Sequence, residues 1–89
     1  MYIHLGEDTV VSSEDIIGIF DLDSTTVSMK TREYLSRAQK EGNVINVSSD
    51  LPRSFVVCRT EAGVRIYICR LSPTTLVRRS GQIGISADI

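Results

Sequence analysis

Apolar positions along this chain fall into short extended runs broken by one helical stretch. Tyr2 to Leu5 and Thr9 to Val11 predict a small hairpin across Gly6-Glu7-Asp8, whose glycine and aspartate favour a turn. Ile16-Ile17-Gly18-Ile19-Phe20 is an unbroken run of β-branched and aromatic residues, which predicts a strand covered on both faces. The rhythm then becomes helical. Val27, Thr31, Tyr34, Leu35 and Ala38 recur at the spacing of one helix face, predicting a helix from about Ser28 to Glu41 that Gly42 ends in a left-handed conformation. Lys30, Glu33, Arg37 and Lys40 fall on the opposite, solvated face, with Glu33 four residues ahead of Arg37 in the favourable order. Val44 to Val47 predicts a further strand, and Asp50-Leu51-Pro52 breaks it, because proline lacks the amide a ladder needs.

Ser54 to Thr60 and Val64 to Arg70 form the strongest predicted strand pair, joined by Glu61-Ala62-Gly63. With a short loop centred near residue 62, Cys58 faces Arg65 or Ile66 and Cys69 faces Ser54 or Phe55. The two thiols are then too far apart for a disulfide and read as buried small hydrophobes. Alternation places Val56, Cys58, Val64 or Ile66, and Ile68 on one face, and Phe55, Val57, Tyr67 and Cys69 on the other. One helix cannot cover two apolar faces. Either further strands of the same chain or a second subunit must cover the other. Ser72-Pro73 reads as an N-cap with proline at the first helical position, opening a short C-terminal helix through Leu76 and Val77. The expected architecture is α+β: a small, mostly antiparallel sheet with one principal helix and a short C-terminal helix. Residues 1–79 form a single domain, and 80–89 a flexible tail.

Length sharpens this picture. A domain of 89 residues buries only about 60–65% of its unfolded surface, so its stability margin is thin. Partner subunits are the expected supplement, since the two cysteines sit in no zinc-like spacing. The N-terminal residues lack the basic and apolar segments of a signal peptide, and no run is long enough to span a bilayer, which points to the cytoplasm and no membrane partner.

Charge is divided along the sequence. Residues 1–27 sum to −6 and residues 28–89 to +5, so a formal net of −1 hides two opposed blocks. Their complementarity predicts a head-to-tail homo-oligomer, with Glu7 and Asp8 on the acidic flank and Phe55, Val57 and Tyr67 as apolar contacts. A second possibility is that the blocks neutralise each other within one fold.

Candidate chemistry is sparse. Ile16 to Thr25 is similar to the D-x-D-x-T strand end of haloacid dehalogenase-like phosphatases. Those enzymes need a doubly wound sheet larger than this chain, a downstream lysine and an acidic cluster to hold magnesium, and here the later acids are scattered as Glu33, Glu41, Asp50, Glu61 and Asp88. His4 is the only histidine, which leaves no His-based triad or multi-His metal site within one chain, and Gly81-x-x-Gly84 is no phosphate loop. The expectation is therefore a non-enzyme without metal, cofactor or small-molecule substrate. Duplex DNA suits the basic block better. Arg53 follows a proline at a strand entrance, Arg59 and Arg65 flank the hairpin connector, and Arg78-Arg79 close the last helix. Each offers a guanidinium to phosphate, and an oligomer multiplies such weak contacts along a duplex.

Four ordered motifs then resemble one family. They are M-Y-I-H-L-G-E-D-x-V-V at the start, D-I-I-G-I-F-D at Asp15 to Asp21, D-L-P-R-S-F-V-V at Asp50 to Val57, and L-S-P-x-T-L at Leu71 to Leu76. Together they are similar to the small bacterial extracellular matrix regulatory proteins of the Rem family, in particular the B-type. The resemblance implies a cytoplasmic regulator of biofilm matrix genes, a LytTR-like fold, and rings around which DNA wraps. In A-type members adjacent arginines before the second long strand contact DNA; Leu51 and Pro52 stand there in this chain, so Arg53 is the residue the resemblance transfers. Asp15 stands where the A-type has a basic residue.

Overall fold

The computed structural model describes residues 1–6, 8–22, 29–48 and 50–80. The N-terminal hairpin forms as its turn residues dictate: β1 (Tyr2–Gly6) pairs antiparallel with β2 (Thr9–Ser12). A single 3₁₀ turn, Ser13–Asp15, follows with Ser12 as its cap and leads directly into β3 (Ile16–Asp21). The helix α1 spans Met29–Lys40, and then come β4 (Val44–Asn46), β5 (Ser54–Thr60), β6 (Gly63–Cys69) and α2 (Pro73–Ser80). Val27 and Ser28, expected at the start of α1, lie outside the described residues, as does the tail beyond Ser80.

The termination of α1 follows the sequence closely. Gly42 takes φ 78°, its amide donates to the Gln39 carbonyl at 3.1 Å, and the Asn43 amide reaches back to Ala38 at 2.9 Å. Those two bonds satisfy carbonyls the last turn leaves open, in the paired pattern that a left-handed glycine permits. At α2, Ser72 caps as expected: the Thr75 amide donates to its Oγ at 3.2 Å, and Pro73 opens the helix. The helix includes Leu76 and Val77 as expected and runs on through Ser80.

Two sheets result. β1 and β2 form one, and the other has the order β3-β5-β6-β4, antiparallel except for the parallel pair β4 and β6. Among the described residues the fold is thus α+β and mostly antiparallel, with two α-helices. α1 covers one face of the larger sheet, where Ala38 and Leu35 meet Phe55, Val57 and Ile66. The opposite face is sealed by the β1–β2 hairpin and α2, whose Ile3, Leu5, Val11 and Leu76 pack on Val56, Cys58 and Cys69. Both apolar faces of the long hairpin are therefore covered by the chain itself.

Two sequence expectations need correction. Of the expected partners, Cys58 faces Arg65 and Cys69 faces Ser54, but the β5–β6 ladder closes at Thr60 opposite Gly63, so the connection is Glu61-Ala62 alone. This shifts β6 by one residue relative to the expected faces. Ile66 and Ile68 join Phe55 and Val57, whereas Tyr67 and Cys69 join Val56 and Cys58. The second correction concerns β3, which is an edge strand with Ile17 and Phe20 62% and 47% exposed, so it is not covered on both sides. A helix about 10 Å across spans roughly two strands at 4.8 Å spacing. α1 lies toward β4 and leaves the β3 side open.

One polar contact ties α2 to the sheet end. Ser54 is fully buried, and its hydroxyl donates to the Leu71 carbonyl at 2.7 Å. Ser54→Ala would leave that carbonyl without its partner and is expected to cost roughly 1–3 kcal/mol, measured as the shift in urea unfolding.

Candidate nucleic-acid interface

The strand directions sort the expected arginines into separate places. Arg53 stands where β5 begins, with its amide donating to the Cys69 carbonyl at 2.8 Å and its carbonyl accepting from the Leu22 amide at 2.8 Å. Its backbone is thus clamped between the ends of β3 and β6, and the side chain is exposed. Just before it, the exposed loop Asp50-Leu51-Pro52 begins with the Asp50 amide on the Ser48 Oγ at 3.1 Å, and Leu51 is 85% exposed. This end of the sheet also holds Arg70, whose Nε lies 3.6 Å from an Asp50 carboxylate oxygen. Both partners of that pair are well exposed, so it contributes little to stability. Sequence reasoning left Arg70 out. The signal was present, because pairing Ser54 with Cys69 sets the residues just beyond them, 53 and 70, at one sheet end.

Arg59 and Arg65 lie at the other end of the ladder, about 20 Å from Arg53 at 3.4 Å per residue. Arg59 shares the face of Val57 and Val64, whereas Arg65 shares that of Cys58, so the two guanidinium groups leave the hairpin on opposite sides. Arg78 and Arg79 occupy the last turn of α2, where positive charge suits the helix dipole. Arg79 donates from Nη1 to the His4 carbonyl at 3.0 Å, tying α2 to β1. The five expected arginines do not converge on one patch; Arg53 with Arg70 is the pair the fold brings together.

The acidic residues are equally dispersed. Asp21 sits opposite Ser54, at the Arg53 end, and Asp8 is exposed in the β1–β2 turn. Asp15 stands close enough to the Arg65 face that its charge acts on Cys58 and Tyr67. Among the described residues, then, Asp21 lies at the Arg53 end of the ladder and Asp15 nearer the Arg65 end. Glu7 lies outside the described residues. Phe55 and Val57 are buried under the α1 side, and Tyr67 is half-buried on the other face, so the apolar contacts expected to act together do not share a surface.

What the surface does present is an apolar groove of about 370 Å³ between β3 and α1, floored by Phe55 and Val57 and walled by Ile17, Phe20, Thr31 and Tyr34. Phe20 stacks on Phe55 with ring centroids 4.8 Å apart. Gly18 permits that pose, since a β-carbon there would lie 2.5 Å from the Phe20 Cε2. Sequence reasoning missed Ile17 and Phe20 as surface residues because an unbroken apolar run was read as fully covered.

Burial pushes both thiols up to about 11, with the Asp15 carboxylate and then Cys69 adding to the effect at Cys58. Both are free cysteines, held protonated at neutral pH. No group of three or more His, Cys, Asp or Glu that could hold a metal occurs among the described residues. No helix among them is long and apolar enough to cross a membrane.

Residues 2–79 match the model of the RemA-like family, described as extracellular matrix regulatory protein A-like. The chain is also 42% identical over 80 residues, covering 90% of each sequence, to extracellular matrix regulatory protein B of Bacillus subtilis (strain 168).

Proposed function

The chain belongs to the RemA-like family of extracellular matrix regulatory proteins, and from that membership we propose a non-enzymatic transcriptional regulator of matrix and biofilm genes. It acts as a cytoplasmic homo-oligomer on duplex DNA, with a LytTR-like fold. The observation that carries this reading is the likeness to the B-type relative across nine-tenths of both chains. Local geometry supports it. A rigidly held strand entrance presents Arg53, with Arg70 beside it, at one end of the sheet. Phosphate contacts from such side chains position a protein on DNA without reading sequence. One copy supplies too few of them for useful affinity, so repetition in a ring along a wrapped duplex provides the binding strength.

A specific observation favours a second reading, a ring-forming scaffold or partner-binding protein that does not bind DNA directly. Leu51 and Pro52 occupy the loop before Arg53, and Asp50 already partners Arg70. Gel retardation and mass measurement separate the two. The protein should retard duplex DNA at low salt, with affinity falling steeply as salt rises. Arg53→Ala should weaken binding across all sequences and reduce the slope of log affinity against log salt by about one per contact removed. Arg65→Ala, at the far end of the ladder, should weaken it less. A folded oligomer that leaves DNA unshifted at low salt points to the scaffold, and a monomer at tens of micromolar speaks against both.

A further inference from the structure

Two exposed apolar patches lie on opposite sides of the larger sheet. On the hairpin side Ile3, Leu5 and Val11 pack inward, so alternation turns Tyr2 and Val10 outward, where they are 74% and 53% exposed. On the α1 side, Ile17, Phe20 and Tyr34 are exposed around the groove floored by Phe55 and Val57. The first patch is the outer surface of a layer, and the second is a hollow. With the sheet between them, the two cannot meet within one copy.

Charge divides in the same sense. The β1–β2 hairpin and the 3₁₀ turn after it carry Glu7, Asp8, Glu14 and Asp15 and no Lys or Arg. Helix α1 carries Lys30, Arg32, Arg37 and Lys40 against Glu33 alone. Asp8, two residues before Val10, is exposed, and so is Lys30, which lines the groove. The arginines on the hairpin side, Arg78 and Arg79, belong to α2, and Arg79 is held against the His4 carbonyl.

We infer, on the homo-oligomeric reading above, that the outer face of one copy's hairpin docks on the β3–α1 groove of the next copy. Tyr2 and Val10 lie over Ile17, Phe20 and Tyr34, and Asp8 comes to the Lys30 rim. The groove, at about 370 Å³, is of the size, about 300–1,000 Å³, that takes a bulky apolar group. Removing both patches from water supplies the attraction, and the charges set the orientation. They also exclude the symmetric alternatives. Groove against groove would set basic α1 against basic α1, and hairpin against hairpin would set acid against acid, both repulsive. The contact is therefore heterologous: each copy offers its hairpin to one neighbour and its groove to another.

Two variants disable one side each, Tyr2→Asp the hairpin and Ile17→Asp the groove. Light scattering at tens of micromolar should report several chains for the parent and the mass of one chain for either variant. Variants that keep the parent's mass would overturn this contact and leave the oligomeric reading standing, whereas a parent of one-chain mass would overturn both. A second arm does not depend on how well an aspartate is tolerated in a strand. A Tyr2→Cys chain and an Ile17→Cys chain are treated with a short bismaleimide, separately and after mixing; the native thiols are buried and do not compete. Two-chain bands on a denaturing gel should form in the mixture and in neither protein alone. Bands in the Ile17→Cys protein alone, or none in the mixture, would overturn the hairpin-to-groove contact.

Discussion

Leu76→Ala is expected to cost about 2–5 kcal/mol, a large part of the roughly 5–15 kcal/mol that holds a small domain together. Leu76 is fully buried and belongs to the cluster in which Ile3, Leu5 and Val11 of the hairpin meet Val56, Cys58 and Cys69 of the sheet. It is the one fully buried apolar residue of α2, so its loss opens a cavity between three elements at once. The experiment also decides how the second sheet face is protected. If the hairpin and α2 seal it within each copy, urea midpoints of parent and variant will differ by a constant amount at any protein concentration. Were a neighbouring subunit needed to complete that face, the difference between parent and variant would itself change with concentration, because the substitution would weaken assembly as well as folding. Val56→Ala, in the same cluster, should show the same constant difference from the parent with a smaller loss, since fewer carbon atoms are removed.

That result bears directly on what the sequence could reveal. Periodicity located every described strand and both helices, because their signals are local: the N-cap at Ser72, the glycine after α1, the proline break before Arg53. Where two faces compete for cover, local signals stop. The long hairpin was legibly apolar on both sides, yet nothing in its own residues told whether the hairpin and α2 or another subunit would lie across it. The length of the tight connection was similarly underdetermined. Moving Gly63 from loop to ladder reassigned every β6 side chain to the opposite face and separated Tyr67 from Phe55 and Val57. The candidate site shared this fate. Arg53 was legible from its place after a proline, but its grouping with Arg70, and its distance from Arg59 and Arg65, depend on strand order and register. Sequence blocks of charge are one-dimensional, and antiparallel strands fold them through each other, which is how Asp21 comes to the Arg53 end of the sheet.

Alkaline pH should destabilise this protein more than its charge composition suggests, and the cause is thiol burial. Cys58 and Cys69 are almost completely enclosed, and burial raises each from an ordinary 9.0 to about 11. In the unfolded chain both thiols release their protons near pH 9; in the folded chain they hold them until about 11. Stability is therefore fully present below pH 9 and declines as pH rises from 9 to 11, because the unfolded state loses protons first. Two pKa units correspond to roughly 3 kcal/mol per thiol, so the pair together is expected to remove several kcal/mol by pH 11, a large part of the stability of a marginal domain. Tyr67, also raised, chiefly by burial, acts in the same direction above pH 10. Urea midpoints at pH 8, 9, 10 and 10.5 should fall progressively for the parent. The Cys58→Ala, Cys69→Ala variant should start lower, from lost packing, and then stay nearly level, with only the tyrosine contribution remaining. Parallel decline in parent and variant would show that the thiols are not the cause. Because Cys69 helps to raise Cys58, Cys69→Ala should also relieve part of the Cys58 shift, so the two single effects on the slope will not simply add.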